Sequence, residues 1–145
     1  MCAANRCGKY GSCWTCPPGC GDWEVLRDKY QAYKEAFVFP TCHALEDSFD
    51  FEGMQEAGAA HKRLDDLIAD KLGAFVGQYV HLGEGACGIC ATCTYPDAPC
   101  RFPDRMYPCV ESHGINVIPV LEENGLDFQY GGNIVTWYSL LFFND

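Results

Sequence analysis

Nowhere in the 145 residues does an apolar run reach the roughly 18 positions that a membrane-spanning helix needs. The opening residues, Met1-Cys2-Ala3-Ala4-Asn5-Arg6, lack the apolar stretch of a secretory signal. Basic side chains are scarce. Ten Lys and Arg stand against twenty Asp and Glu, for a net charge of −10. That balance argues against a protein that grips a phosphate backbone, so no nucleic-acid partner is expected. It favours a basic protein partner instead. No Gly-rich phosphate loop, dinucleotide fingerprint or Ser/His/Asp pattern is present. These absences predict a cytoplasmic chain with no membrane partner. They leave open whether it is an enzyme.

Cysteine is what the chain has in excess. Ten of its eleven cysteines fall in two stretches. Cys2, Cys7, Cys13, Cys16 and Cys20 crowd the first, and Cys87, Cys90, Cys93, Cys100 and Cys109 the second. Only Cys42 lies between them. Thiols stay reduced in the cytoplasm, where dense cysteines bind metal more often than they form disulfides. The odd count also argues against a fully paired disulfide framework, the competing reading for a secreted protein.

The second stretch reads C-x-x-C-x-x-C-x6-C. In ferredoxin-like runs this spacing places three thiolates on three irons and turns backbone N–H groups toward the sulfurs. Gly83, Gly85 and Gly88 let the chain bend closely. Cys100 could supply the fourth thiolate, although Arg101 follows it where ferredoxins have proline. Zinc sites favour two separated thiol pairs over a triplet. The expectation is a 4Fe–4S cluster on Cys87, Cys90, Cys93 and Cys100, with zinc as the alternative. The first stretch, C-x4-C-x5-C-x2-C-x3-C, could hold a second cluster. Cys13 and Cys16 could instead form a redox pair. Cys20, Cys42 and Cys109 are read as packing residues.

The fold expectation is a single α+β domain over 1–145, a mixed sheet with packed helices and cysteine loops at about 1–21 and 83–109. The loops are expected to converge at one end of the sheet. Asp22 is placed to cap a helix running to about residue 36, and a β-prone run at 37–39 closes at Pro40. A loop over 41–51 leads into a helix over 52–72 with Ala57, His61, Leu64, Ile68 and Leu72 on one stripe and Asp65 and Asp66 on polar faces. A strand follows at 78–82. Pro108 and Gly114 bracket a short helix, and Asn116 and Gly125 another. A hairpin is expected from 126–130 and 134–143, the second arm an interior strand.

The run Cys2-x-x-Asn5-x-Cys7-Gly8-x-Tyr10-Gly11, followed by Trp14-x-Cys16-Pro17-Pro18-Gly19, resembles the opening motif of a family of uncharacterised, predicted metal-binding iron–sulfur proteins. Leu45 to Asp50 and His61 resemble its middle, and Gly85 to Pro103 its C-terminal motif. The resemblance extends over nearly the whole chain. It implies Cys87, Cys90, Cys93 and Cys100 as one ligand set and Cys2, Cys7 and Cys16 in another, with Cys13 the added candidate. Two residues depart from it. Cys13 stands where a polar non-cysteine residue is expected, and Cys109 where serine is expected. Family members carry a further segment ahead of the first motif, so a short or truncated form is expected here.

Weaker candidates remain. His43, Glu46, Asp47 and Asp50 read as a loop with helix-capping carboxylates, or as a proton-handling group. His61 reads as a hydrogen-bonded core residue. His81 or His113 could replace a thiolate, and Arg101 or Arg105 could donate to a cluster or its partner. The leading function is cytoplasmic electron transfer to a redox partner protein. The alternatives are a structural zinc or cluster module and a cluster enzyme with an open iron.

Overall fold

The structure, a computed structural model, describes residues 2–126 and 132–144. In chain order it has a 3-10 turn at Cys2–Ala4, α1 (Trp23–Gln31), β1 (Glu35–Ala44), α2 (Phe51–Leu72) and β2 (Tyr79–Leu82). Two further 3-10 turns, Pro103–Arg105 and Val110–His113, precede α3 (Val117–Glu123) and β3 (Ile134–Phe143). The α+β expectation holds. Both ladders of the sheet, ordered β1-β3-β2, are antiparallel. The expected mixed sheet is therefore an antiparallel one among the described residues, and the parallel bridge between Gly83 and Cys109 lies outside its strands. Among the described residues no helix is long and apolar enough to cross a membrane.

β3 is the interior strand that its apolar alternating faces suggest. It pairs with β1 from Glu35↔Phe143 to Ala44↔Ile134, and with β2 from Tyr79↔Phe143 to Leu82↔Leu140. The first arm of the expected hairpin falls mostly at 127–131, outside the described residues. α1 ends at Gln31, five residues short of expectation, because Glu35 to Phe39 are drawn into the ladder with β3. Pro40 does not close β1. It stands opposite Tyr138 within the strand, and among the described residues β1 is hydrogen-bonded on one side only, which is where a residue without an N–H is tolerated. Residues 41–44 are therefore strand, not loop.

α2 begins where its sequence says. The Asp50 carboxylate accepts the Gly53 N–H at 2.8 Å and the Glu46 N–H at 3.1 Å, which holds its pKa below the usual carboxylate value. Its buried residues are Ala57, His61, Asp65 and Ala69, four apart along one line. Leu64, Ile68 and Leu72 are half-buried. Asp65 thus faces inward, against expectation, because a buried histidine meets it there. His81 Nε2 lies 3.0 Å from Asp65 Oδ1. His61 is the expected core histidine, bonded to Thr41 at 2.8 Å and to Ser139 at 3.0 Å. Burial holds its pKa down.

One hydrophobic core joins Leu82, Val110, Val117, Leu121, Tyr138 and Leu140. It locks the Val110–His113 turn, and with it Cys109, against β2 and β3. The Gly83 N–H donates to Pro108 O at 3.0 Å and the Val110 N–H to Gly83 O at 2.9 Å. From the other side α2 grips the same segment. Arg105 pairs with Asp66 and Asp70 at 3.5 and 3.1 Å, and the Tyr107 hydroxyl donates to Asp66 at 3.1 Å, while its ring stacks on His81 of β2 with centroids 3.9 Å apart.

Candidate metal centre

The two cysteine loops meet beside the end of β2, and Thr15 joins them. Its side chain is fully buried. Its carbonyl accepts the Cys109 N–H at 3.2 Å, and its Oγ1 accepts the Cys87 N–H at 2.9 Å. Neighbours on the first loop reinforce the joint. Trp14 Nε1 donates to Ala98 O at 3.1 Å, and its ring meets Tyr95 edge-on at 4.9 Å.

Cys87, Cys90, Cys93 and Cys100 line one small cleft, walled by Trp14, Ile89, Phe102 and Met106 among others. The segment between Cys93 and Cys100 folds back on itself. Thr94 Oγ1 donates to Pro99 O at 2.9 Å, and the Ala98 N–H to Thr94 O at 3.0 Å. This return brings Cys100 to the triplet despite the six-residue gap. Two backbone N–H groups point at sulfur: Tyr95 to Cys93 Sγ at 3.5 Å, and Phe102 to Cys100 Sγ at 3.4 Å. Burial pushes the Cys87 thiol up. Arg101 braces the loop by donating to Thr92 O at 3.0 Å, while Arg105 is engaged with α2.

Cys2, Cys7, Cys16 and Cys109 line a second, larger cleft of about 280 Å³, together with Arg6, Lys9, Glu84 and Glu111. Cys13, Cys16 and Cys109 are packed together in the interior, with Ala86 and Cys93 against them. Hydrogen bonding between Cys16 and Cys109 draws the Cys109 thiol down and pushes Cys16 up. A hydrogen bond from Cys16 brings Cys13 down to about 4. Cys13 lies 3.2 Å from Thr15 Oγ1 and lines neither cleft. Cys20 is half-buried, and its thiol is pushed up by burial. Cys42 is exposed on β1. Among the described residues no three His, Cys, Asp or Glu side chains are close enough to hold a single metal ion.

No histidine lines either of these clefts. His81 is held by Asp65, and His113 Nδ1 lies within bonding distance of Ser112 Oγ and Cys109 O. His43 reaches Thr41 at 3.1 Å, Asp50 caps α2 and Asp47 accepts the Phe49 N–H at 2.7 Å, so this group braces a loop and a helix start. Glu84 escaped the sequence reading. It lines the second cleft, its Oε2 is buried without a hydrogen-bond partner, and burial raises its pKa to about 9. No local spacing marks it, since its burial comes from the Gly83–Cys109 bridge beside it.

A family model described as "Predicted metal-binding protein (DUF2284)" matches residues 1–143. The chain belongs to this family. No curated protein and no solved structure matches it. The DUF2284 description gives metal binding and leaves the metal unspecified. Four cysteines line each cleft, with two threonines in the first, and with Tyr10 and two carboxyls in the second. That composition suits a thiophilic metal or cluster. The N–H groups at Cys93 and Cys100 suit thiolates that carry charge.

Proposed function

We propose that this chain is a cytoplasmic iron–sulfur protein that holds a 4Fe–4S cluster on Cys87, Cys90, Cys93 and Cys100 and passes single electrons to a redox partner. The observation that carries this reading is the convergence of these four thiols on one cleft, with N–H groups of Tyr95 and Phe102 aimed at two of the sulfurs. When bound, such a cluster supplies a one-electron couple. The chain's own residues set its terms. The four thiols release their protons on ligation. The two N–H donors disperse the negative charge on sulfur and favour the reduced state. Trp14, Ile89, Phe102 and Met106 give the cleft an apolar lining. The net charge of −10 favours a basic redox partner.

Anaerobic purification with iron, sulfide and zinc counting tests this. The expected result is a brown protein with an EPR signal after reduction, and loss of about four irons in Cys90→Ala. A colourless protein with stoichiometric zinc on the same cysteines would instead support the structural module. Undiminished iron and visible absorption in Cys90→Ala would remove the assignment.

A further inference from the structure

We infer that Cys2, Cys7, Cys16 and Cys109 form a second four-thiolate centre for an iron–sulfur cluster, in which Cys109, not Cys13, is the fourth ligand. This site goes beyond the one proposed above and uses none of its thiols.

Three observations carry it. First, these four cysteines, and neither Cys13 nor Cys20, line the cleft of about 280 Å³. A lone zinc ion needs sulfurs about 2.3 Å away, and among the described residues no three such side chains converge that closely. A four-iron core spans more widely set thiols. Second, the backbone fixes each thiol's position. The Asn5 N–H donates to Cys2 O at 2.8 Å and the Gly8 N–H to Asn5 O at 3.1 Å, with Asn5 in the left-handed region at φ 49°. These turns fold residues 2–8 back on themselves and bring Cys2 and Cys7 to one wall. Cys109 is anchored by its N–H to Thr15 O and by the Gly83 bridge. Third, Arg6 and Lys9, two of only ten basic residues in the chain, stand on this cleft. An oxidised four-iron core of charge about +2 on four thiolates carries about −2 overall, so positive side chains suit it. Glu84 and Glu111 complete the wall, and the Tyr138 hydroxyl donates to Glu111.

Cys13 lines neither cleft. It is buried against Cys16 and Cys109, with its sulfur against Thr15 Oγ1.

The test uses the full chain, reconstituted anaerobically with iron and sulfide, with iron and acid-labile sulfide counted and EPR recorded after reduction. The wild type is expected to hold about eight irons and eight sulfides. Cys109→Ala should hold about half, and so should Cys7→Ala, whose exposed side chain makes no core contact that folding needs. Cys13→Ala should keep the full count. Full iron in both Cys109→Ala and Cys7→Ala overturns the site, as does loss of half the iron in Cys13→Ala or zinc in place of iron. Cys90→Ala separates the two proposals. If it keeps all the iron while Cys109→Ala loses it, the second centre stands and the first falls.

Discussion

The Oγ1 of Thr15 accepts the backbone N–H of Cys87 at 2.9 Å, across 72 positions of sequence. One buried hydroxyl thereby sets the first thiol of the second loop against the first loop. Thr15→Val keeps the shape but leaves that N–H without an acceptor. An unsatisfied buried donor costs about 1–3 kcal/mol. Urea unfolding of Thr15→Val should show a loss in that range, with Thr15→Ser close to wild type. Equal midpoints for all three proteins would remove the hydroxyl from the joint.

Gly19 closes the same joint by having no side chain. A Cβ there would stand 2.6 Å from the Cys13 carbonyl oxygen and 2.9 Å from the Tyr95 ring. The first of these contacts is backbone and cannot swing away. Gly19→Ala should therefore cost about 1–3 kcal/mol, the range for overpacking. Gly77→Ala, with nothing within 4 Å of its Cβ, should stay within about 0.5 kcal/mol of wild type. Thermal melts of the pair check the contrast.

Asp65 and His81 are the buried polar pair beneath the second loop, with side chains 3 and 2 % exposed. Tyr107 stacks on His81, so the pair supports the segment that leads to Cys109. Removing one partner of such a pair costs on the order of 3 kcal/mol, because the other is left buried and unmatched. Asp65→Ala should lose about that much. In a double-mutant cycle, His81→Phe should lose much less in the Asp65→Ala background than in wild type. Additive losses would show that the two do not interact.

Local features were legible in the sequence. The cysteine spacing at 87–100 is a short-range pattern, and Asp50 and Gly114 mark ends that the structure keeps, with Gly114 at φ 75°. β3 reads as interior because both of its faces are apolar. What was not legible depends on contacts between distant segments. Asp65 has a polar side chain, and only the approach of His81 from β2 gives it a reason to face inward. Pro40 ends a strand in most contexts and is spared here because β1 has one bonded neighbour. Cys109 is buried, as its packing reading expects, but its meeting with Cys16 depends on the distant Gly83 bridge and Thr15 carbonyl.

Glu84 gives the chain a pH dependence with a definite sign. Its carboxyl is raised to about 9, chiefly by burial and then by the charge of Glu111, from 4.5 in the unfolded chain. Between these values the folded state keeps a proton that the unfolded state has released. The group's contribution to stability is therefore fully present below about pH 4.5 and is lost as pH rises toward 9, by up to about 1.4 kcal/mol per pH unit. Glu84→Gln keeps the shape and cannot titrate. Urea unfolding of the reduced, metal-free chains should give similar stabilities near pH 5 and a growing advantage for Glu84→Gln toward pH 8. The thiols titrate in both proteins, so the difference between the two curves isolates Glu84. Parallel curves from pH 5 to 8 would show that the carboxyl is ionised in the folded chain.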